Sequence, residues 1–152
     1  MDSQSRDACG GAPPHAHELT VPADAASMSG LVAFLEGALE ATECPPAIST
    51  KLMICQDEIA SNVMKFSKAS ELTVRLESCA ASGTWMLSFS DDGIPWDPLS
   101  HADPDITLSA EERPIGGLGL LMVKKMMDEV TYAREGDRNV LRLRIAVRPG
   151  AK

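Results

Sequence analysis

The sequence predicts an α+β fold, a two-layer sandwich with helices on one face of a mixed, largely antiparallel sheet. Two observations predict it. A long segment at about 46–67 has apolar residues at spacings of three and four, which is typical of a helix buried along one side. The segments 72–77, 85–89 and 139–147 alternate apolar and polar residues, which is typical of strands with one covered face. Such helices and strands combine as one helical layer on one sheet.

The amino-terminal segment differs in composition from the rest of the chain. Residues 1–16 contain Gly, Ala, Pro, Ser and His without any period, which predicts a flexible tail. Residues 17–148 are expected to form a single domain, because a chain of 152 residues is long enough for one real core.

A strand and a helix are predicted before residue 45. Leu19 and Val21 alternate with polar neighbours and predict a strand that ends at Pro22. A helix is predicted from about Asp24 to Thr42. Its apolar stripe consists of Leu31, Phe34, Leu35 and Leu39.

The second helix is predicted from Pro46 to about Ser67. Two consecutive prolines, Pro45 and Pro46, end the preceding helix and start this one, because proline suits the first helical position. The buried stripe is expected to comprise Ile48, Leu52, Cys55, Ile59, Val63 and Phe66.

The second half of the chain is expected to alternate strands with one more helix. A turn at Ser82-Gly83 joins the strands at 72–77 and 85–89. The proline-containing segment 94–115 is predicted to be a loop, and a helix is predicted from the glycines at 116–119 to about Asp128. Two final strands flank Gly136, at 130–134 and 139–147. The second of these is expected to turn Leu141, Leu143, Ile145 and Val147 to one side.

Charge and hydropathy limit the partners of the chain. The formal net charge is −8, and an acidic surface argues against nucleic acid, because phosphate backbones attract Lys and Arg. Nucleotide binding needs only local dipoles and one or two cations.

No apolar run reaches membrane-spanning length, so we expect a cytoplasmic protein without membrane association. Cys55 and Cys79 are expected to be reduced core residues.

Three polar side chains are predicted on one flank of the second helix. At about 100° per residue, Glu58, Asn62 and Lys65 fall in one sector beside the apolar stripe. Asn62 can offer an amide oxygen to Mg²⁺, Glu58 can accept a proton from a hydroxyl, and Lys65 can pair with phosphate. The alternative, which the helix alone favours, is a solvated helix edge.

An acidic pair follows the strand at 85–89. Asp91 can accept a hydrogen bond from the exocyclic amine of adenine, where guanine presents a carbonyl, so it would select ATP over GTP. Gly93 would let the base approach the backbone closely. The alternative is an ordinary Asp-Gly turn.

A glycine cluster precedes the third helix. Gly116, Gly117 and Gly119, with Leu118 between them, would leave free N–H groups and a positive dipole end for phosphates. The cluster is not a P-loop, since no Gly-Lys-Ser/Thr follows, and a flexible hinge is the alternative. The proline-rich segment 98–114 before it predicts a lid over a nucleotide.

Together these segments resemble the N, G1 and G2 boxes of the GHKL (Bergerat-fold) ATP-binding superfamily. The matching patterns are Glu58-x-x-x-Asn62, Asp91-x-Gly93 and Gly116-Gly117-Leu118-Gly119-Leu120. The runs 91–98, 116–132 and 139–141 are similar to the anti-sigma factor serine/threonine kinase branch in particular, and the resemblance covers roughly residues 18–147.

The resemblance implies a role for each matching residue. Glu58 would be the general base, Asn62 the Mg²⁺ ligand and Asp91 the adenine acceptor. The remaining nucleotide contacts would be Lys65, Gly93, Pro95, Gly116, Gly117, Leu118, Gly119 and Leu120. Kinases of that branch phosphorylate a serine or threonine of a small antagonist (STAS) protein. They also capture a sigma factor, often as a homodimer.

The sequence departs from that branch at two points. Pro95 stands where relatives usually have a third glycine of the G1 box. The run Lys65-Phe66-Ser67 looks more like histidine kinases, which usually carry Asn at the position of Glu58. A histidine kinase needs a phosphoacceptor His on a helical hairpin, and none of His15, His17 and His101 qualifies. A nucleotide-dependent clamp without catalysis remains the alternative to a kinase. An ATPase subunit is less favoured, because the chain looks short for the transducer domain.

Overall fold

The computed structural model describes residues 15–79, 81–100 and 117–147. In this part of the chain five strands form one sheet, and three α-helices accompany it. The strands are β1 (His15–Pro22), β2 (Glu71–Cys79), β3 (Thr84–Asp91), β4 (Glu129–Glu135) and β5 (Arg138–Ala146). The helices are α1 (Met28–Ala41), α2 (Pro46–Phe66) and α3 (Gly117–Met126), with short 3-10 turns at Ala25–Ser27 and Pro98–Ser100.

The described strands lie in the order β1-β2-β3-β5-β4. The predicted α+β sandwich is confirmed, and the sheet is antiparallel at each of its four described pairings. The hairpins β2–β3 and β4–β5 form as the Gly83 and Gly136 turns predict, and both glycines have a φ of +63°. The sheet then brings β5 beside β3, so that the ends of two distant strands meet.

The core lies between the helices and one face of the sheet. Alternate residues of β2 and β3 are buried, as a strand with one covered face requires. The fully buried side chains include Leu31, Leu35, Leu52, Leu72, Leu76, Leu87, Phe89 and Leu143. The other face of the sheet is polar and carries ion pairs such as Arg144 with Glu129 (3.1 Å) and Arg138 with Glu71 (3.0 Å).

Two predicted core residues lie at the edge instead. Phe66 ends α2 with 36% of its surface exposed, and its ring centroid lies 5.6 Å from that of Trp96. Val147 follows the last residue of β5 and is 42% exposed, because the strand that would have turned it inward has ended.

The element ends differ slightly from the predicted ones. β1 begins at His15, inside the predicted tail, because its backbone pairs with β2 as far as Ser78. The first helix opens as a 3-10 turn before α1 begins at Met28. The rest of the tail, most of the predicted lid and His101 lie outside the described residues. Within the described ranges no helix combines the length and the apolar character needed to cross a bilayer.

The cysteines do not all behave as predicted. Cys55 is a fully buried free thiol, and burial raises its pKa to about 12. Cys79 is disulfide-bonded, so the expectation of a reduced core thiol is wrong there. The alternation of β2 explains the error. Cys79 falls in the partly exposed set of that strand, and not in the buried set with Leu72, Val74 and Leu76.

Candidate nucleotide site

Glu58 and Asn62 contact each other on α2. They are one helical turn apart, and the amide Nδ2 of Asn62 donates to Oε2 of Glu58 at 2.8 Å. Asn62 is only 3% exposed, whereas Glu58 is half-buried. Because its nitrogen is committed to Glu58, Asn62 presents Oδ1 as the atom suited to a cation.

The first turn of α3 lies against Glu58. A Cβ atom placed on Gly119 would overlap the carboxylate of Glu58, so only glycine permits this approach without a shift. The first turn of a helix carries N–H groups that no intrahelical carbonyl accepts, and it is the positive end of the helix dipole. The structure thus places a carboxylate, an amide and a helix start side by side.

The carboxyl end of α2 lies against the segment that follows β3. Ile94 N donates to the backbone oxygen of Ser67 at 2.7 Å. A Cβ atom on Gly93 would overlap that same backbone oxygen and lie 2.8 Å from Oγ of Ser67. Gly93 is therefore required for close backbone contact. In this structure the backbone that it approaches is that of Ser67, the residue after the last one of α2.

Asp91 is the last residue of β3 and is 2% exposed. Its Oδ1 accepts hydrogen bonds from Gly93 N at 2.9 Å and from Nδ2 of Asn139 at 3.0 Å. Among the described residues, none donates a hydrogen bond to Oδ2. This second oxygen is the atom of Asp91 that can accept from a bound base.

The neighbouring Asp92 faces away and has a structural role. Its carboxylate accepts hydrogen bonds from the Ser70 hydroxyl and from the backbone N–H groups of Ser70 (2.8 Å) and Glu71 (3.0 Å). These bonds, first of all the one from the Ser70 hydroxyl, lower the pKa of Asp92 to about 2. Asp92 thus holds the start of β2, and only Asp91 of this pair is a candidate for the site.

The other residues predicted to contact the nucleotide are described by their position and exposure. Lys65 is exposed in the last turn of α2 and makes no hydrogen bond or ion pair with another described residue. Pro95 is exposed beside Ile94. Leu120 is 8% exposed in α3. Gly117 begins α3, while Gly116 and the side chain of Leu118 lie outside what the structure describes.

Sequence reasoning gave no role to Asn139, which contacts both Asp91 and the segment after it. Asn139 is 4% exposed and lies opposite Asp91 in the register of β3 and β5. Its side-chain Nδ2 reaches Ile94 O at 2.7 Å, and its Oδ1 accepts from Trp96 N at 3.0 Å. The available signal was the run 139–141, which resembles the anti-sigma factor kinase branch and in which Asn139 precedes the apolar residues Val140 and Leu141.

The donor set fits Mg²⁺ held chiefly by a nucleotide. The described residues hold no group of three or more His, Cys, Asp or Glu side chains suited to a metal. Mg²⁺ commonly takes one or two protein oxygens and completes its shell with water and phosphate. The Oδ1 of Asn62, whose side chain contacts Glu58, is an oxygen of this kind.

This arrangement around α2 is that of an α+β ATP-binding domain. The family model of the histidine kinase-like ATPase domain matches residues 21–145, and the chain belongs to this family. Membership implies ATP binding. A search of curated protein sequences found no match.

Two solved structures share the fold. One contains the RsbU and RsbW domains of Rv1364c from Mycobacterium tuberculosis, with a TM-score of 0.64 and 15% identity over 92% of this chain. This chain spans only 35% of that one. The other is the SiaB–SiaC complex from Pseudomonas aeruginosa, with a TM-score of 0.64 and 16% identity over 93% of this chain and 95% of that one. At such identities the likeness concerns the fold.

Proposed function

We propose that this chain is an ATP-dependent serine/threonine protein kinase of the anti-sigma factor type. Its substrate is a STAS-type antagonist protein, and it sequesters a sigma factor in a partner-switching pathway. The observation that carries the proposal is the position of Glu58, hydrogen-bonded to Asn62 and in contact with the start of α3. A carboxylate beside an amide oxygen and a phosphate-binding helix end has the parts that phosphoryl transfer needs.

Glu58 is the general base of this proposal. Its carboxylate accepts the proton of the attacking serine or threonine hydroxyl, while the hydrogen bond from Asn62 Nδ2 fixes the orientation of the carboxylate. Asn62 Oδ1 would hold Mg²⁺, which would supply positive charge to the phosphate oxygens. The N–H groups at the start of α3, around Gly117 and Gly119, bind phosphate oxygens, and Lys65 adds a cation.

Adenine recognition depends on the segment that lies against the carboxyl end of α2. Asp91 Oδ2 accepts from the exocyclic amine of the base, and Oδ1 stays bound to the protein. The Gly93–Ile94–Pro95 backbone forms the edge of the base pocket, tied to Ser67. A guanine carbonyl opposite Asp91 would place two acceptors together, which disfavours GTP.

The partners of the proposal are proteins. The sequence is similar to kinases that capture a sigma factor and often form homodimers, and one fold neighbour is the SiaB–SiaC complex. The net charge of −8 disfavours nucleic acid and steers basic partner surfaces towards the chain. We assign the protein to the cytoplasm, where such regulators act, with a homodimer as its oligomeric state.

Transfer of label from γ-labelled ATP to candidate STAS proteins of the same genome tests the kinase. The critical variant is Glu58→Gln, which keeps the size and the hydrogen bond of the side chain but removes the base. We expect transfer to fall about 10²- to 10⁴-fold while ATP binding persists. The matched control is Asp57→Asn, which neutralises an exposed carboxylate one residue away on α2. Undiminished transfer by Glu58→Gln would remove the kinase assignment.

A second candidate function is a nucleotide-dependent clamp that sequesters a regulator without catalysis. The observation that favours it is that the Glu58 carboxylate is engaged by Asn62 and closely covered by α3. Pull-downs with ATP, ADP or no nucleotide separate the two functions. Retention of the same partner by the wild type and by Glu58→Gln, without label transfer by either, would favour the clamp.

A further inference from the structure

We propose that Asn139 is the positioning residue for Asp91, and that it thereby sets the preference for adenine over guanine. The inference rests on the proposed adenine contact of Asp91 and adds the residue that makes this contact selective. Asn139 touches no nucleotide in this proposal. It acts through the orientation of the Asp91 carboxylate.

The amide nitrogen of Asn139 donates hydrogen bonds to residues at the proposed adenine contact. Nδ2 donates to Asp91 Oδ1 at 3.0 Å and to Ile94 O at 2.7 Å, so both of its hydrogens are used. Gly93 N donates to the same Oδ1 at 2.9 Å. Because two N–H groups donate to Oδ1, the Asp91 carboxylate is held in one orientation. Its Oδ2 then remains available to accept a hydrogen bond from the base.

The hydrogen bonds to the amide oxygen of Asn139 fix the orientation of the amide group. Oδ1 of Asn139 accepts from Trp96 N at 3.0 Å and from the Tyr132 hydroxyl at 2.5 Å, with Arg134 Nη1 at 3.3 Å. A backbone N–H can only donate and a backbone carbonyl can only accept. The contacts to Trp96 N and Ile94 O therefore leave one possible assignment of the amide oxygen and nitrogen.

The β4–β5 hairpin thus holds the whole segment between Asp91 and Trp96. Arg134 Nη1 also donates to Gly93 O at 2.9 Å, so two residues of the hairpin hold the segment. Asn139 is 4% exposed and Asp91 2% exposed, and a buried hydrogen bond to a charged acceptor is among the stronger ones. Without it only Gly93 N holds the carboxylate, and its Oδ2 is less firmly aimed at the base.

The discriminating variant is Asn139→Asp. It keeps the shape of the side chain and the acceptor for Trp96 and Tyr132, but it replaces the donor to Asp91 by an acceptor. The dissociation constants of ATP, GTP and inorganic tripolyphosphate, each with Mg²⁺, are measured by calorimetry. We expect ATP to bind about 10- to 100-fold more weakly, with GTP and tripolyphosphate changed by about twofold or less.

Two further variants keep the test interpretable. Tyr132→Phe removes only the 2.5 Å hydrogen bond to Asn139 and should lower the ATP/GTP preference in the same direction by a smaller factor. Arg138→Gln is the matched control. Arg138 precedes Asn139 but binds Ser90 and Glu71 on the open face of the sheet, so its loss should leave the preference unchanged.

The outcomes separate this inference from the proposed function. Equal weakening of ATP and GTP in Asn139→Asp and Tyr132→Phe, or an unchanged preference in both, overturns the positioning role while the kinase proposal stands. A wild-type protein without preference for ATP over GTP overturns the adenine contact of Asp91, and the inference falls with it.

Discussion

Gly119 in the first turn of α3 lies directly against the carboxylate of Glu58 on α2, two residues that are far apart in the sequence. Gly93 has a similar contact with Ser67, but there the opposing atom is a backbone oxygen. A carboxylate is the end of a flexible side chain and can move aside, whereas a backbone carbonyl cannot. The two glycines should therefore respond differently to the same substitution.

Gly119→Ala is expected to lower the transfer rate about 10²-fold without unfolding the protein. The added methyl group pushes the Glu58 carboxylate out of position, and a displacement of about 1 Å is enough to cost about 10²-fold in rate. Transfer of labelled phosphate and thermal unfolding are the measurements. Gly37→Ala in α1 is the control, since a Cβ atom there meets nothing within 4 Å. Wild-type transfer rates in Gly119→Ala would contradict the geometry.

Gly93→Ala is expected to destabilise the fold itself. The new Cβ atom overlaps the Ser67 carbonyl, and relief of this overlap breaks the 2.7 Å hydrogen bond from Ile94 N. We expect the free energy of unfolding to drop by about 1–3 kcal/mol in urea titrations. Gly30→Ala, which adds a Cβ atom in open space, should not lower it in this way. If both variants were equally stable, the contact would not be as tight as described.

Local periodicity was enough to predict most elements. The stripe of α2 and the hairpin of β2 and β3 are set by nearest neighbours along the chain, so their predicted bounds agree closely with the structure. The neighbour relation of β3 and β5 depends on pairing between distant segments, which periodicity does not contain. That relation was therefore known only from the structure.

The candidate site likewise contains contacts that local spacing predicts and contacts that only the pairing of distant strands creates. Helical spacing predicts that Glu58 and Asn62 meet, and they do. Asn139 acquires its contacts from the register of two distant strands, so the family resemblance of the run 139–141 did not reveal its role. Cys79 was misjudged because it was judged by its apolar surroundings and not by the alternation of β2, which places it on the same face as Thr73 and Arg75.

Asp92 should make stability depend on pH below about 4. Its folded-state pKa of about 2 lies below the ordinary value of 3.8, so the unfolded chain takes up the proton first. The stabilisation is present above pH 4 and is lost as the pH falls through 2. Screening of this exposed carboxylate limits it to about 1 kcal/mol. The stability difference between wild type and Asp92→Asn, measured by urea unfolding, should therefore shrink towards zero between pH 4 and pH 2. A constant difference over that range would show that the carboxylate charge is irrelevant.

Lys65→Gln is expected to weaken the binding of ATP but not of adenosine. Lys65 is exposed in the last turn of α2 and has no ion pair with another described residue, so its charge is available to phosphate. An exposed pair of this kind contributes up to about 1 kcal/mol, which corresponds to about fivefold in affinity at low salt and less at high salt.

Lys68→Gln is the matched control for that experiment, because Lys68 is an exposed lysine just beyond the same helix end. Calorimetric titrations of both variants with ATP and adenosine, at low and at high salt, decide the question. A salt-sensitive loss of ATP affinity confined to Lys65→Gln places this lysine near the phosphates. Equal losses of ATP affinity in the two variants would contradict a direct contact of Lys65 with phosphate. They would show a long-range electrostatic effect, because two neighbouring exposed charges contribute alike to the potential at a distant anion.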